Sequence, residues 1–287
     1  MFAIKLISLL PLSVLYIFSD VLYLIGYHLL GYRKKVIRQN LLHAFPEKSA
    51  EERRKIEKEF FRNLTDSFAE TIKMYTISKE ELAKRVQIVN YELALSQIEK
   101  NQVVVGVTGH FFNWELHLQH MMANISTKVD VVYLKVNSPF FENLMKTIRS
   151  RFGGGLVERA SFQRDYLRKR DQPRLIVLAA DQRPSKSEIR YWTPFLHRET
   201  AFFEGAEKLA KRFGHTVIYS HAAKPKRGHY VFTYQPLSSP PYDTDAEHSI
   251  TDEFVRRMEA NIRENPALYL WSHNRWKEKK TTVSVSE

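Results

Sequence analysis

Cysteine is absent from this 287-residue chain. That excludes disulfides, zinc–thiolate sites, iron–sulfur clusters and a thiol nucleophile. Glycine is sparse, at ten residues. The only glycine run, Gly153-Gly154-Gly155, has neither GxGxxG spacing nor a P-loop lysine and reads as a turn. No Gly-x-Ser-x-Gly elbow occurs, so a hydrolase-type serine nucleophile lacks its signature. No His-Glu-x-x-His occurs either, and the spacing of His117 and His120 suits no common zinc pattern. Neither a metal nor a cofactor is expected. Acidic residues are also in deficit: 32 Asp and Glu face 44 Lys and Arg, a formal charge of +12 with pI near 9.6. Such an excess draws polyanions, either nucleic acid or an anionic membrane. No nucleic-acid module is recognisable and the basic residues are dispersed among helices, which leaves the membrane as the expected partner.

What the chain does have is an apolar start. From residue 6 to 25 it is mostly apolar, interrupted by Pro11, three serines and one acid, Asp20. About 20 apolar residues cross a bilayer core. Lys5 precedes the run, and Arg33, Lys34 and Lys35 come after it. No small-x-small cleavage site precedes the basic cluster, so residues 1–32 are expected to stay as a membrane anchor. The basic collar favours a cytoplasmic location for the rest of the chain. Asp20 requires an explanation: a carboxylate at mid-membrane costs about 2.5–3.5 kcal/mol. A tilted span, a helix in the interface, or a side chain facing protein would each relieve it.

Residues 33–287 are expected to form a single α/β domain, with a helical lead-in over 33–100, a sheet core over 101–240, and a last helix and tail over 241–287. Ser49 with Glu52 makes a capping box ahead of a stripe of Ile56, Phe60, Leu64, Phe68 and Ile72. Another helix is expected over 79–85. Strand signals fall at 103–108, 129–135, 175–180, 217–222 and 229–234. Helical stretches lie between them, near 115–122, 139–152, 161–169 and 201–213, and a last helix over 252–265 ends before Pro266. This alternation predicts a mostly parallel central sheet flanked by helices. The polar tail after residue 276 is expected to fray.

In such sheets ligands bind beyond the carboxyl ends of the strands. The stretch Gly-His-Phe-Phe-Asn-Trp-Glu at 109–115 comes directly after the first predicted strand. His110 there is a candidate general base, because an ordinary imidazole titrates near 6.5. Glu115 is the candidate carboxylate that fixes its tautomer, folded back by a tight turn. Asn113 and Trp114 brace that turn, and Asn113 is also a candidate substrate contact. Arg149 and Arg151 close one predicted helix, and Arg183 lies just past a strand end; their guanidinium forks suit phosphate or carboxylate oxygens. Asp181, at the tip of Leu-Ile-Val-Leu-Ala-Ala-Asp, is expected to face the cleft.

Several segments resemble the late acyltransferases of lipid A biosynthesis, the lauroyl/myristoyl acyltransferase family within the wider lysophospholipid acyltransferase group. They are the apolar N-terminus with Tyr-Arg-Lys-Lys through Ala-Phe-Pro (32–46), Gly-His-Phe-Phe-Asn-Trp-Glu, the block ending Arg149-Ser-Arg151-Phe-Gly153, Ala-Asp181-Gln-Arg, and the close Tyr269-Leu-Trp-Ser-His-Asn-Arg-Trp-Lys. The resemblance spans essentially the whole chain. It implies a glycerol-phosphate-acyltransferase-like fold. It also implies transfer of a fatty acyl chain from acyl-carrier protein to a hydroxyl of a lipid A precursor, at the cytoplasmic face of the inner membrane. By motif position it makes His110 the base and Glu115 its partner, places Arg149 or Arg151 on acceptor phosphate or the reacting carbonyl, and puts Asp181 near the active site. Two positions depart from the pattern. Phe112 stands where the family has glycine, and Phe195-Leu196-His197 where it often has Phe-Phe-Gly. Acyl-chain length is therefore not carried over. The alternatives are acyl transfer to another lipid acceptor, and a membrane-tethered binding protein without catalysis.

Overall fold

The computed structural model describes residues 1–125, 128–244 and 246–280. Its helices and strands run α1 (Phe2–Leu9), α2 (Leu12–Tyr23), α3 (Lys34–Ala44), α4 (Ala50–Lys73), α5 (Lys79–Arg85), β1 (Val86–Val89), α6 (Glu92–Glu99), β2 (Val104–Thr108), α7 (Trp114–Ile125), β3 (Val129–Tyr133), α8 (Pro139–Arg149), β4 (Gly155–Glu158), α9 (Phe162–Arg168), β5 (Leu175–Ala179), β6 (Tyr191–Phe195), β7 (Arg198–Phe202), α10 (Gly205–Phe213), β8 (Thr216–Lys226), β9 (His229–Ser238) and α11 (Ser249–Glu264). The expected fraying concerns a tail whose residues 281–287 lie outside the described part.

Seven strands form one sheet in the order β1-β9-β8-β2-β5-β3-β4. All neighbours pair parallel except β8 with β9. The expected mostly parallel sheet flanked by helices is thus present. Alternation along each strand supplies two cores. Val105 and Val107 of β2, Ile176 of β5 and Tyr219 of β8 join the cluster that holds α10 and α11. Val104, Leu175, Val177 and Ile218 join the opposite cluster, with α6 and α7. Central strands buried on both faces explain their continuous apolar runs.

Some expected elements are redrawn. Residues 33–100 are not wholly helical: Val86-Gln-Ile-Val is an edge strand paired with β9. The helix expected over 201–213 begins only at Gly205, because residues 198–202 pair with β6 in a small hairpin. The Ser49–Glu52 capping box forms as expected. The stripe it precedes buries Ile56, Phe60 and Leu64, but Phe68 is 52% exposed. A four-residue repeat overshoots a 3.6-residue turn by about 40° each time, so the stripe winds off the buried face.

The buried positions in the second half of α4 are largely polar, and they receive the N-terminus. Helices α1 and α2, broken at Pro11, both pack along α4. Residues Leu12–Leu30 are long and apolar enough to cross a membrane by length and composition. Yet Tyr16, Ser19 and Asp20 share one side of α2 and face protein. Ser19 donates to Asp66 at 2.7 Å, and Arg227 bridges Asp66 at 2.6 Å and Asp20 at 2.7 Å. Of the three accommodations open to Asp20, pairing with protein is the one seen. The other side of α2 exposes Ile17, Phe18, Val21 and Leu22.

Arg227→Ala should therefore loosen the N-terminal helices by leaving Asp66 buried without its fork. A loss of about 1–3 kcal/mol is expected, below the full buried-pair value because Arg227 is partly exposed. Arg168→Ala, which breaks an exposed pair with Asp165, should change stability by less than about 0.5 kcal/mol. Denaturant unfolding of the two variants in detergent is the check.

Candidate active site

The site is built by strand register. In the parallel pair, Thr108 of β2 lies opposite Ala179 of β5. The N–H of Ala180 donates to the Thr108 carbonyl at 3.1 Å, carrying the pairing past both strand ends. Two residues on in each strand, His110 and Asp181 emerge side by side. His110 Nδ1 lies 2.6 Å from Asp181 Oδ1. Gly109 leaves room for the buried Phe111 ring, which a Cβ there would meet at 2.8 Å.

Asp181 is buried, while the imidazole keeps 21% of its side chain exposed. Burial opposes charge on His110, but Asp181 and, more weakly, Glu115 outweigh it and raise the ring above its ordinary 6.5. Burial likewise pushes Asp181 up, and the imidazole and Arg275 pull it below its usual range. With Nδ1–H donated to Asp181, the opposite nitrogen carries the lone pair. Gln182 Nε2 stands 3.4 Å from it. His110 and Gln182 both border a cavity of about 390 Å³, whose walls include Val131, Leu134, Val136 and Val177.

Glu115, expected to steady His110, is placed elsewhere. It lies in the first turn of α7 and holds Arg149 by two bonds, Nε to Oε2 at 2.9 Å and Nη2 to Oε1, while Trp114 Nε1 donates to it at 3.0 Å. The physical reason is direction. A helix start carries Glu115 toward α8, whereas the neighbouring strand delivers Asp181 straight to the ring. Arg149 lines the cavity. Arg151 does not: its Nη1 donates to the Met74 carbonyl at 2.8 Å and it lies over Phe152. Arg183 stands at the cavity rim, paired with Glu278 at 2.7 Å, and its N–H donates to His273 Nε2 at 3.2 Å. Burial drives His273 down to about 4, which keeps that nitrogen an acceptor.

Asn113 is a brace and not a substrate contact. It is buried, its Oδ1 accepts from the N–H groups of Glu115 at 3.0 Å and Leu116 at 3.3 Å, and its Nδ2 donates to Glu70 at 2.7 Å. His117, also on the cavity wall, stacks on Phe232, and burial pushes it down to about 3. Sequence reasoning missed Gln182 and the β3 end as wall residues. The Asp-Gln pair at the β5 tip was the available signal, since alternating directions put one side chain under the histidine and the next beside it.

The sheet thus carries a His–Asp pair at its strand ends, on the wall of an apolar cavity and beside an arginine fixed by Glu115. A family profile described as "Bacterial lipid A biosynthesis acyltransferase" matches residues 1–278, and the chain belongs to that family. It is 28% identical over 121 residues to the "Lipid A biosynthesis myristoyltransferase" of Escherichia coli (strain K12), a match over 42% of this chain and 37% of that protein. That stretch is thus about a third of the relative's length. The "Lipid A biosynthesis lauroyltransferase" of the same organism is 23% identical over 248 residues, 85% of this chain and 79% of that protein. Among solved structures, the "1-acyl-sn-glycerophosphate (LPA) acyltransferase, PlsC, from Thermotoga maritima" matches at 14% identity with a TM-score of 0.40, covering 91% of this chain and 97% of that one.

Because Asp181 is what lifts His110, an NMR titration of the ring should give a midpoint above 6.5 in the native chain. The ring is charged below that midpoint and neutral above it. In Asp181→Asn burial is left dominant, so the midpoint should fall below the native one, widening the range in which the ring is neutral.

Proposed function

We propose that this chain transfers a fatty acyl group from an acyl-carrier-protein thioester to a hydroxyl of a lipid A precursor, at the cytoplasmic face of the inner membrane. The observation that carries the reading is the His110 ring, tied at Nδ1 to Asp181, with Gln182 at Nε2, on the wall of an apolar cavity. Nε2 takes the proton of the acceptor hydroxyl as its oxygen attacks the thioester carbonyl. The tetrahedral intermediate collapses with cleavage of the C–S bond, and the departing thiolate takes the proton from the imidazolium, which restores the neutral ring. Asp181 stabilises that imidazolium. A thioester is activated already, so the step requires no covalent enzyme intermediate.

The cavity suits the alkyl chain. Its volume falls in the range of about 300–1,000 Å³ common for ligand pockets, and aliphatic and aromatic side chains such as Val131, Leu134, Val177, Phe162 and Phe203 make up much of its wall. Arg149, immobilised by Glu115, and Gln182 are the donors on the same wall, placed to meet carbonyl or phosphate oxygens. Glu115 thus serves the site by fixing Arg149. The exposed apolar side of α2 seats the enzyme in the bilayer from which the acceptor arrives, and the net charge of +12 favours an anionic leaflet and an acidic carrier protein.

Folded His110→Ala should lose at least about 100-fold in turnover, the lower end of general-base catalysis. The assay supplies acyl-carrier-protein thioester with a lipid A precursor, a lysophospholipid or an aminolipid as acceptor, and circular dichroism checks folding. Transfer to one of the other acceptors alone would reassign the substrate. Near-native turnover of the variant would remove the base, and no transfer by the native chain would leave a lipid-binding protein.

A further inference from the structure

Glu70 lies outside the cavity, on the inner side of α4, and is 1% exposed. Three donors from three other parts of the chain converge on it. Tyr16 of α2 donates its hydroxyl to Oε1 at 2.7 Å. Asn113, in the turn after His110, donates Nδ2 to Oε2 at 2.7 Å. Tyr230 of β9 donates to both oxygens, at 3.1 and 2.9 Å. Burying a carboxylate is costly even when it is paired, and apolar packing would join α4 to β9 as firmly. Burial pushes this carboxyl up, against the pull of the Asn113, Tyr16 and Tyr230 donors; what it adds is direction, because both of its oxygens accept. The amide of Asn113 must then point its NH₂ at Glu70 and its oxygen at α7, where it caps the N–H groups of Glu115 and Leu116. The same turn holds His110 edge-on to Trp114, with ring centres 5.1 Å apart, and Glu115 on Arg149.

We propose that Glu70 is a positioning residue that transmits the docking of the N-terminal helices, through Tyr16 and Asn113, to the turn bearing the reacting imidazole. The lipid-facing helix is then part of the site's scaffold as well as an anchor. Tyr16 sits on the protein side of α2, with exposed Phe18 on the opposite side. Lifting α2 from α4 withdraws one donor from Glu70 and frees the carboxylate to re-pair, which releases the amide that sets the first turn of α7. The effect on catalysis rests on the acyl-transfer reading; the coupling of α2 to the turn does not.

The test uses the full chain in phospholipid nanodiscs, with Tyr16→Phe, Glu70→Gln and, as a control on the opposite side of α2, Phe18→Ala. The indole N–H resonance of Trp114, assigned by its loss in Trp114→Phe, reports the turn because that N–H donates to Glu115. Tyr16→Phe and Glu70→Gln should both move this resonance and lower kcat about tenfold, with KM within about twofold, as expected when a reacting group is misplaced without loss of substrate contacts. Phe18→Ala should leave the resonance at its native position. Should Glu70→Gln fail to fold, Tyr16→Phe, which deletes one oxygen at the periphery, decides alone. An unmoved resonance in folded Tyr16→Phe, or a shift equally large in Phe18→Ala, overturns the proposal. Absence of acyl transfer by the native chain would defeat the acyl-transfer reading, while the Trp114 shift would still establish the coupling.

Discussion

The bond between His110 and Asp181 depends on two parallel strands ending in register. Thr108 and Ala179 face each other across β2 and β5, so the residues two places on must meet at the sheet's edge. Nothing local to either segment would bring them together. The sheet around them is buried on both faces, which fixes the register: a slip by one residue would turn Val105, Val107 and Ile176 out of one core and into the other. The geometry of the His110–Asp181 pair is thus held by the hydrophobic pattern of the strands. Helix α7 contributes the next layer, with Glu115 clamping Arg149 beside the cavity.

The N-terminal helices have two unlike sides. One side of α2 carries Tyr16, Ser19 and Asp20, which meet Glu70, Asp66 and Arg227. The other side leaves large aliphatic and aromatic groups uncovered. Docked on α4, the Asp20 carboxylate bonds the Arg227 guanidinium while its side chain stays partly exposed. One side of the helix thus serves packing, while the other stays apolar and exposed.

Much of the sheet was legible because its strands are short apolar runs between helical stretches, as at 103–108 and 175–180. The edges were not. Val86-Gln-Ile-Val is too short to stand out from the helices beside it, and residues 198–202 read as a helix start until β6 supplies a partner. In the site, His110, Asp181 and Arg149 could be picked out from strand ends and helix ends. Their partners could not. Sequence proximity favoured Glu115 for His110, but proximity along a chain says nothing of direction after a turn, and the true partner is 71 positions away. Asn113 and Arg151 were misjudged for a related reason: a polar side chain near a motif is as often satisfied by backbone or by a buried acid, as here by Glu70 and Met74. Glu70 carried no signal at all, since an acid in the middle of a charged helix looks solvated.

The central claim is that Nε2 of a carboxylate-held imidazole meets an acyl carbonyl at the mouth of the apolar cavity. The most direct measurement is a structure of the chain with a non-hydrolysable amide analogue of an acyl thioester. The account predicts the alkyl chain between the ends of β3 and β5, with the amide carbonyl facing His110 Nε2 and the Asp181 bond intact. An alkyl chain lodged along the N-terminal helices, with its carbonyl remote from His110, would contradict it.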